Sequence, residues 1–478
     1  MKKIKLIFVI ICILLIAIPL VVMPIRPTTV STENRALSQF PDFTTRDGSM
    51  NLNFFSEFEK YFSEHFAFRN ELVYADARIQ KDVFSVSSMD TVIAGKDGWL
   101  YYKSTLNDYL GTNIMTERDI YNVIHNLNIV QNYVNERGAD FLFTVPPNKN
   151  TLYGDKMPYY ASHKVSKVHN MDLLTPKFRE EGINYADLFA LFREEKETLY
   201  LMRDSHWNNK GALMAYNAMM DELGYKHETY SSAEVKRAFD EDGDLNRMLY
   251  TLYGKKEANY KYEIDWNFTY GEDFKSVEDS WIETSGGKGN GILLMYRDSF
   301  GNTLIPFVAD QFKEAYFTKA TPYGLERYME EKNPNVVIME KVERNIWDII
   351  TAPPIISSPV AEKLVGVTPE DGVDLTGVIS SDGDNSGVEV EISSLIFDNN
   401  YYKISGSLPE ALMDEEGDII IRLDGVPYVA YHTGATQFEV YIKKEKISTF
   451  PLEVSVEIES QSKLTSVAKR ALEEGDIK

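Results

Sequence analysis

Ile292-Leu293-Leu294-Met295-Tyr296 is a run of five apolar residues that gives way to Arg297-Asp298-Ser299-Phe300-Gly301-Asn302 and then to a second apolar stretch. A short unbroken apolar run suits a strand buried on both faces, and the polar residues after it mark the turn into a helix. The theme repeats at 141–145, 183–187, 315–318 and 336–339. Between these runs lie helical patterns, such as the amphipathic stretch 117–137 stopped by Gly138. Alternating strand and helix predicts a parallel sheet covered on both faces, so residues 91–350 read as one α/β domain. In an open parallel sheet the ligand crevice lies outside the carboxyl ends of the strands, and Ser299 falls at such an end.

Outward from this domain the pattern changes. Upstream, Gly95-Lys96-Asp97-Gly98 before Trp99-Leu100-Tyr101-Tyr102 reads as a hairpin turn. Residues 26–90 form a polar lead-in in which Asn51 to Val73 carries Phe54, Phe55, Phe58, Tyr61, Phe62, Phe66 and Phe68 at a helical spacing that predicts a packed helix. Downstream, 351–370 begins with the Pro- and Ser-rich TAPPIISSPV and reads as a linker. Beyond it the period becomes two: Val388, Val390 and Ile392 alternate with acids, as Leu452, Val454, Val456 and Ile458 alternate with polar residues. Residues 371–478 are therefore expected to form a β-sandwich-like module, with carbohydrate binding as one use for it. Asp382, Asp384 and Gly387 lack the spacing of a calcium loop and read as a solvated turn.

The 478 residues carry 50 Lys and Arg against 73 Asp and Glu, a net charge of −23. This acidity argues against nucleic acid and anionic lipid as partners, because both require clustered positive charge. The single cysteine, Cys12, excludes an internal disulfide and any cysteine-rich zinc site. Lys2, Lys3 and Lys5 precede an apolar run over 6–23, so residues 1–25 read as an uncleaved single-pass membrane anchor, a cleaved signal peptide being the alternative. The positive end stays cytoplasmic on this reading, which leaves the remainder outside the cell.

A serine hydroxyl is a poor nucleophile without a base, and histidine is the usual base near pH 7 when an acid fixes its tautomer. Asp204-Ser205-His206 supplies acid and base one residue apart, just before a helical stretch from Ala212. Asp204, His206 and Ser299 are thus the candidate catalytic residues, against the plainer reading of a turn cap and a surface histidine. Candidate oxyanion donors are the Ser299 amide with Asn148 or Asn302, and Arg297 is a candidate substrate contact. Lys149 is expected to face solvent, and Glu343-Arg344 to form an internal ion pair. No G-x-S-x-G elbow, phosphate loop or dinucleotide fingerprint occurs, and the motifs call for no metal or cofactor.

Asp204-Ser205-His206-Trp207 resembles the D-H-H-W motif, and Asp298-Ser299-Phe300 the D-S-F block, of the SGNH-like acyltransferases typified by the alginate O-acetylation proteins. Glu33-Asn34-Arg35, Phe66-Ala67-Phe68-Arg69, Gly98-Trp99-Leu100 and Pro147-Asn148-Lys149 are similar to segments of that family in the same order, so the resemblance spans about 30–350. It places the acid and base upstream of the serine, the reverse of ordinary secreted SGNH esterases. Two positions depart from the pattern: Ser205 stands for the first His of D-H-H-W, and Arg297 precedes Asp298 where a Gly is common. The resemblance implies an SGNH-hydrolase-like, flavodoxin-like sheet with Ser299 as nucleophile, His206 as base and Asp204 as its orienting acid. It implies an extracytoplasmic O-acyltransferase, an O-acetyltransferase in the main reading, acting on a cell-surface or secreted polysaccharide. A membrane-bound O-acyltransferase partner would supply the acyl group. A carbohydrate acetylesterase with the same triad and a non-catalytic polysaccharide-binding or assembly protein stand as alternatives.

Overall fold

The apolar runs become the strands of one central sheet. A computed structural model describes residues 2–478 apart from 30–36, 45–48, 85, 251–253, 322–323, 372–387, 396–399, 414 and 448. Glu33-Asn34-Arg35 and the Asp382, Asp384 and Gly387 turn lie outside the described residues.

At the N-terminus, α1 (Lys2–Val22) includes an 18-residue window of mean hydropathy 3.1 that is long and apolar enough to cross a membrane, a description an N-terminal signal sequence also meets. The lead-in is two helices rather than one, α2 (Phe54–His65) and α3 (Arg69–Phe84). They break at Phe66-Ala67-Phe68, where Phe68 takes a positive φ of 63°. The expectation of a packed helix holds for one side only. Phe54 and Phe58 pack around Phe40, while Phe55 is 82% exposed.

The hairpin is β1 (Val92–Ala94) and β2 (Leu100–Tyr102), closed through Asp97 and Gly98, both at positive φ. Helix α4 (Glu117–Glu136) follows, started by a capping box of Thr116 and Asp119. It leads into β3 (Asp140–Thr144), and α5 (Asn170–Glu180) leads into β4 (Tyr185–Ala186). Next come α6 (Asn209–Glu222), β5 (Glu234–Glu241), the short α7 (Asp244–Leu249) and β6 (Glu257–Glu263), where β5 and β6 pair antiparallel. The remaining strands are β7 (Thr269–Tyr270), β8 (Trp281–Ser285), β9 (Ile292–Tyr296), β10 (Glu314–Thr318) and β11 (Val336–Glu340), with α8 (Ile305–Gln311) and α9 (Leu325–Lys332) between the last three.

The seven-stranded sheet runs β4-β3-β11-β9-β10-β8-β7. Its first five strands pair in parallel, but β8 pairs antiparallel with both β10 and β7, so the sheet is mixed and the all-parallel expectation is corrected at this edge. Only residues 286–291 join β8 to β9. A parallel crossover needs a dozen or more residues, so β8 skips past β9 to pair with β10 in the opposite sense. The glycines of this link are required by space: a Cβ on Gly287 or Gly289 would meet the carbonyl oxygens of Phe312 or Gln311 at 2.1 and 2.0 Å.

Both faces are covered. Leu294, Tyr296, Val337 and Met339 pack with α4 and α5 on one side, while Leu293, Met295, Val336 and Ile338 pack with α6 and α8 on the other. The C-terminal module is two facing sheets. One is β12 (Glu370–Asp371), β20 (Lys463–Leu472), β19 (Leu452–Ser460), β15 (Asp418–Leu423) and β16 (Val426–Val429). The other is β13 (Glu389–Ser394), β14 (Tyr401–Ser407), β18 (Gln437–Lys443) and β17 (Tyr431–His432). Val390, Ile404 and Val440 meet Ile421, Val454 and Val456 between them, as a sandwich requires.

The stretch 351–360, read from its Pro and Ser content as part of a linker, packs as a largely buried strap. Ile355 and Ile356 are 2% and 0% exposed, and the Ser358 N–H donates to the Tyr441 carbonyl at 2.8 Å. Tyr401, Tyr431 and Tyr441 of the module join the core beneath α4 and Ile349. The α/β domain and the module are therefore continuous in their packing.

Candidate active site

Ser299 follows β9 directly and stands at the start of a 3₁₀ turn, Phe300–Thr303, that runs into α8. Asp298 fixes this turn from both ends. Its Oδ1 accepts the Phe300 N–H at 2.8 Å and its Oδ2 the Val342 N–H at 2.8 Å, while its own N–H donates to Glu340 at 2.9 Å. Gly301 has no room for a side chain, since a Cβ would lie 2.6 Å from the Arg297 Cβ. The serine is thus presented, half-exposed, at the carboxyl ends of β9 and β11.

The Asp204–His206 loop comes from the other side and is held by its backbone. Glu257 accepts the Met202 and Arg203 N–H groups at 2.6 and 2.7 Å. Lys149 is 3% exposed, contrary to the expectation that it faces solvent, because its Nζ donates to the carbonyls of Leu201, Met202 and Asp204 at 3.1, 3.2 and 2.5 Å. Burial lowers its pKa to about 8 against the pull of Asp204, Asp244 and Glu257. Trp207 and Phe300 meet edge to face at 5.1 Å, and the Trp207 indole N–H donates to Thr303, so loop and turn share one wall.

These supports bring the three candidate residues into a chain. The His206 Nε2 lies 2.7 Å from the Ser299 Oγ, and its Nδ1 lies 2.6 Å from the Asp204 Oδ1. Asp204 also accepts the His206 N–H at 2.9 Å and the Asp244 N–H at 2.7 Å. Burial works against the Asp204 carboxylate, yet the bond and charge of His206 and these N–H donors outweigh it and hold the pKa down at about 2. Burial likewise works against an imidazolium, but Asp204 and Asp244 outweigh it and raise the His206 pKa. An acceptor at Nδ1 leaves Nε2 free to take a proton from Ser299.

The other candidates serve the frame. Asn148 is fully buried, donating its N–H to Glu343 at 2.7 Å and its amide to Asp108 at 2.8 Å. Asn302 donates to Glu278 at 2.7 Å and accepts from Arg297. Arg297 is 4% exposed and donates to the Val277 and Asp279 carbonyls at 3.0 Å each, tying that loop to the turn that carries Ser299. Among the described residues none of the three bonds to Ser299 or His206. Glu343 does not pair with Arg344; it takes the Asn148 N–H and the Thr151 hydroxyl, while the Arg344 guanidinium lies over the rings of Phe300 and Tyr102 at 5.6 and 5.5 Å. Asp244, Glu257 and Glu340 carry no motif of their own, and only their placement in space reveals them.

Among the described residues, two groups hold enough donor atoms in reach of one another for a metal, Asp204-His206-Asp244 and His125-Asp418-His432. In the first the imidazole nitrogens face Asp204 and Ser299. In the second the imidazoles of His125 and His432 stack at 3.9 Å and 6°, so their in-plane lone pairs do not converge.

Residues 92–272 match the family model of an SGNH hydrolase-like domain, acetyltransferase AlgX. The AlgX-type match includes the β1–β2 hairpin, Asn148, Lys149, the Asp204–His206 loop and Asp244, and ends before Ser299. This segment is thus similar to an SGNH hydrolase-like domain, in line with the family the chain's motifs resemble. Solved structures similar to it include PatB1 of Bacillus cereus, at 18% identity over 53% of this chain and 96% of that chain with a TM-score of 0.44. A DHHW family protein from Eubacterium siraeum follows at 16% identity, 53% and 91% coverage and a TM-score of 0.40. The O-acetyltransferase domain of Pseudomonas putida AlgJ stands at 16% identity, 53% and 91% coverage and a TM-score of 0.37. No curated protein matches the chain.

Proposed function

We propose that this protein is a serine-dependent O-acyltransferase, with acetyl as the acyl group, that works outside the cytoplasm on a polysaccharide hydroxyl. The observation that carries the reading is the unbroken chain from Asp204 through His206 to Ser299, at 2.6 and 2.7 Å. His206 Nε2 takes the Ser299 proton as Oγ bonds to the acyl carbon, and the proton then passes to the leaving group as the acyl–donor bond breaks. A sugar hydroxyl next gives its proton to His206 and bonds to the acyl carbon, and Ser299 Oγ leaves with that proton. The Ser299 N–H, at the start of a turn into α8, is the backbone donor for the oxyanion in both steps. A membrane-bound partner delivers the acyl group from inside the cell on this reading, with α1 holding the enzyme beside it.

The test uses the full chain in detergent with 4-nitrophenyl acetate, early quenching and mapping of the adduct by mass spectrometry. Acetyl on Ser299 in the wild type, and none in Ser299→Ala or His206→Ala, is the expected result. A folded wild type that is never labelled on Ser299 sinks the proposal. Adding oligosaccharide acceptors to the acylated enzyme then separates transfer from hydrolysis by the product formed.

A further inference from the structure

We propose that Asp244 is a second acid of this site, a positioning residue that shares the Nδ1 side of His206 with Asp204. The inference rests on the reading of Ser299 and His206 as nucleophile and base. Asp244 opens α7, 40 positions after Asp204, and the first turn of that helix lies flush against the loop. A Cβ on Gly243 would sit 2.3 Å from the Arg203 carbonyl oxygen, so only glycine allows this approach. The Asn246 N–H also donates to the Arg203 carbonyl, at 3.0 Å.

From this position Asp244 acts in three ways. Its N–H donates to the Asp204 Oδ2 at 2.7 Å and turns the Oδ1 of that carboxylate toward imidazole. Its own Oδ1 accepts the Ser205 N–H at 2.7 Å and its Oδ2 the Ser205 hydroxyl at 2.5 Å, which locks the residue between acid and base. The same Oδ2 lies 3.7 Å from the His206 Nδ1, close enough to stabilise the imidazolium that forms when Ser299 is deprotonated. A shift of about 1 Å would convert that approach into a hydrogen bond.

The charges around the base come from every neighbouring element. Asp204 lies on its own loop, Asp244 on α7 and Glu278 on the segment before β8, while Arg344 follows β11 and opposes the imidazolium. Lys149 approaches from beneath, with Asp204 and Asp244 both acting on it. Burial and the charge of Asp204 raise the Asp244 pKa, as expected of two acids that share one partner. The pair therefore backs itself: when Asp204 is lost, Asp244 is the carboxylate left beside Nδ1.

Asp244→Asn keeps the backbone donor and an oxygen for Ser205 but removes the charge. Removing the Asp244 charge is expected to slow Ser299 acetylation by about 5-fold in the wild type and about 100-fold in Asp204→Asn, because groups that act as a unit are not additive. The acid limb of the acetylation pH profile is expected to move down by about half a pH unit in the single variant, as an opposite charge near His206 is lost. Equal effects in both backgrounds, with an unmoved limb, would overturn the inference. Asp244→Ser, which keeps the backbone N–H that donates to Asp204, provides the same charge removal if the Asn variant does not fold. A wild type that is not labelled on Ser299 removes the parent reading and this one with it; a labelled wild type with an inert Asp244→Asn removes this one alone.

Discussion

On the proposed mechanism, His206 sets the pH response of the site. Its pKa lies above the ordinary 6.5 because Asp204 and Asp244 outweigh burial, and only the neutral imidazole accepts the Ser299 proton. Acetylation of Ser299 is therefore expected to fall as pH drops through a midpoint above 6.5, and a midpoint below it would contradict the pairing. Glu343 has the opposite consequence, for stability rather than rate. Burial and Asp108 raise its pKa to about 8 from 4.5, so between those values the unfolded chain holds fewer protons at this group and stability falls as pH rises. Glu343→Gln keeps an oxygen for the Asn148 N–H and removes the titration. Its melting temperature relative to wild type is expected to climb from pH 5 to pH 9. Lys149→Met leaves three loop carbonyls without their donor and is expected to cut Ser299 acetylation by about 10- to 100-fold, through misplacement of His206. The plain expectation of a solvent-facing lysine missed this role because a Lys after a strand carries no mark of the carbonyls that fold back onto it.

Helix α4 shows how one element joins two units. Its inner side feeds the domain core with Val123, Leu127, Val130 and Val134, as the apolar spacing predicts. A second stripe at three- and four-residue intervals is polar and reaches the module. Arg118 donates to the Gly417 carbonyl at 2.6 Å, Asn122 to the Gly434 carbonyl at 2.9 Å, and Tyr121 to Asp418 at 2.7 Å. Asn126 is fully buried, donates to the carbonyls of Ile349 and His432 at 2.9 Å each, and accepts the His432 N–H at 3.0 Å. Asn126→Ala would leave those backbone groups unpaired and is expected to cost about 1–3 kcal/mol in urea unfolding. A polar stripe on an amphipathic helix reads as a solvated face, and only the sandwich laid across it turns those side chains into an interface.

At the scale of the molecule, the sandwich is part of the α/β domain's core. Tyr401, Tyr431 and Tyr441 cover Ile349, Ile355 and Ile356, and Lys443 reaches back to Glu326 at 2.9 Å. Removing residues 361–478 would strip those rings from the core and expose the apolar strap at 355–356. The truncated chain is expected to aggregate or to melt well below the full one; an unchanged melting temperature would show that the two units fold independently.

Local chemistry determined much of this molecule. Five apolar runs with polar ends become five parallel strands, because burial on both faces demands apolar residues throughout, and period-two alternation becomes the sandwich. Asp204 and His206, with one residue between them, and Ser299 at a strand end could be singled out as candidates because nucleophile chemistry restricts the residue types and a turn restricts the spacing, and the fold brings the three together. The tertiary structure alone decided the rest. The antiparallel edge follows from a link too short for a crossover, and the buried strap from the module that covers it. Asp244, Glu257, Glu340 and Lys149 grip the site from remote positions, where ordinary acids and a lysine gain their roles only from what the fold sets against them.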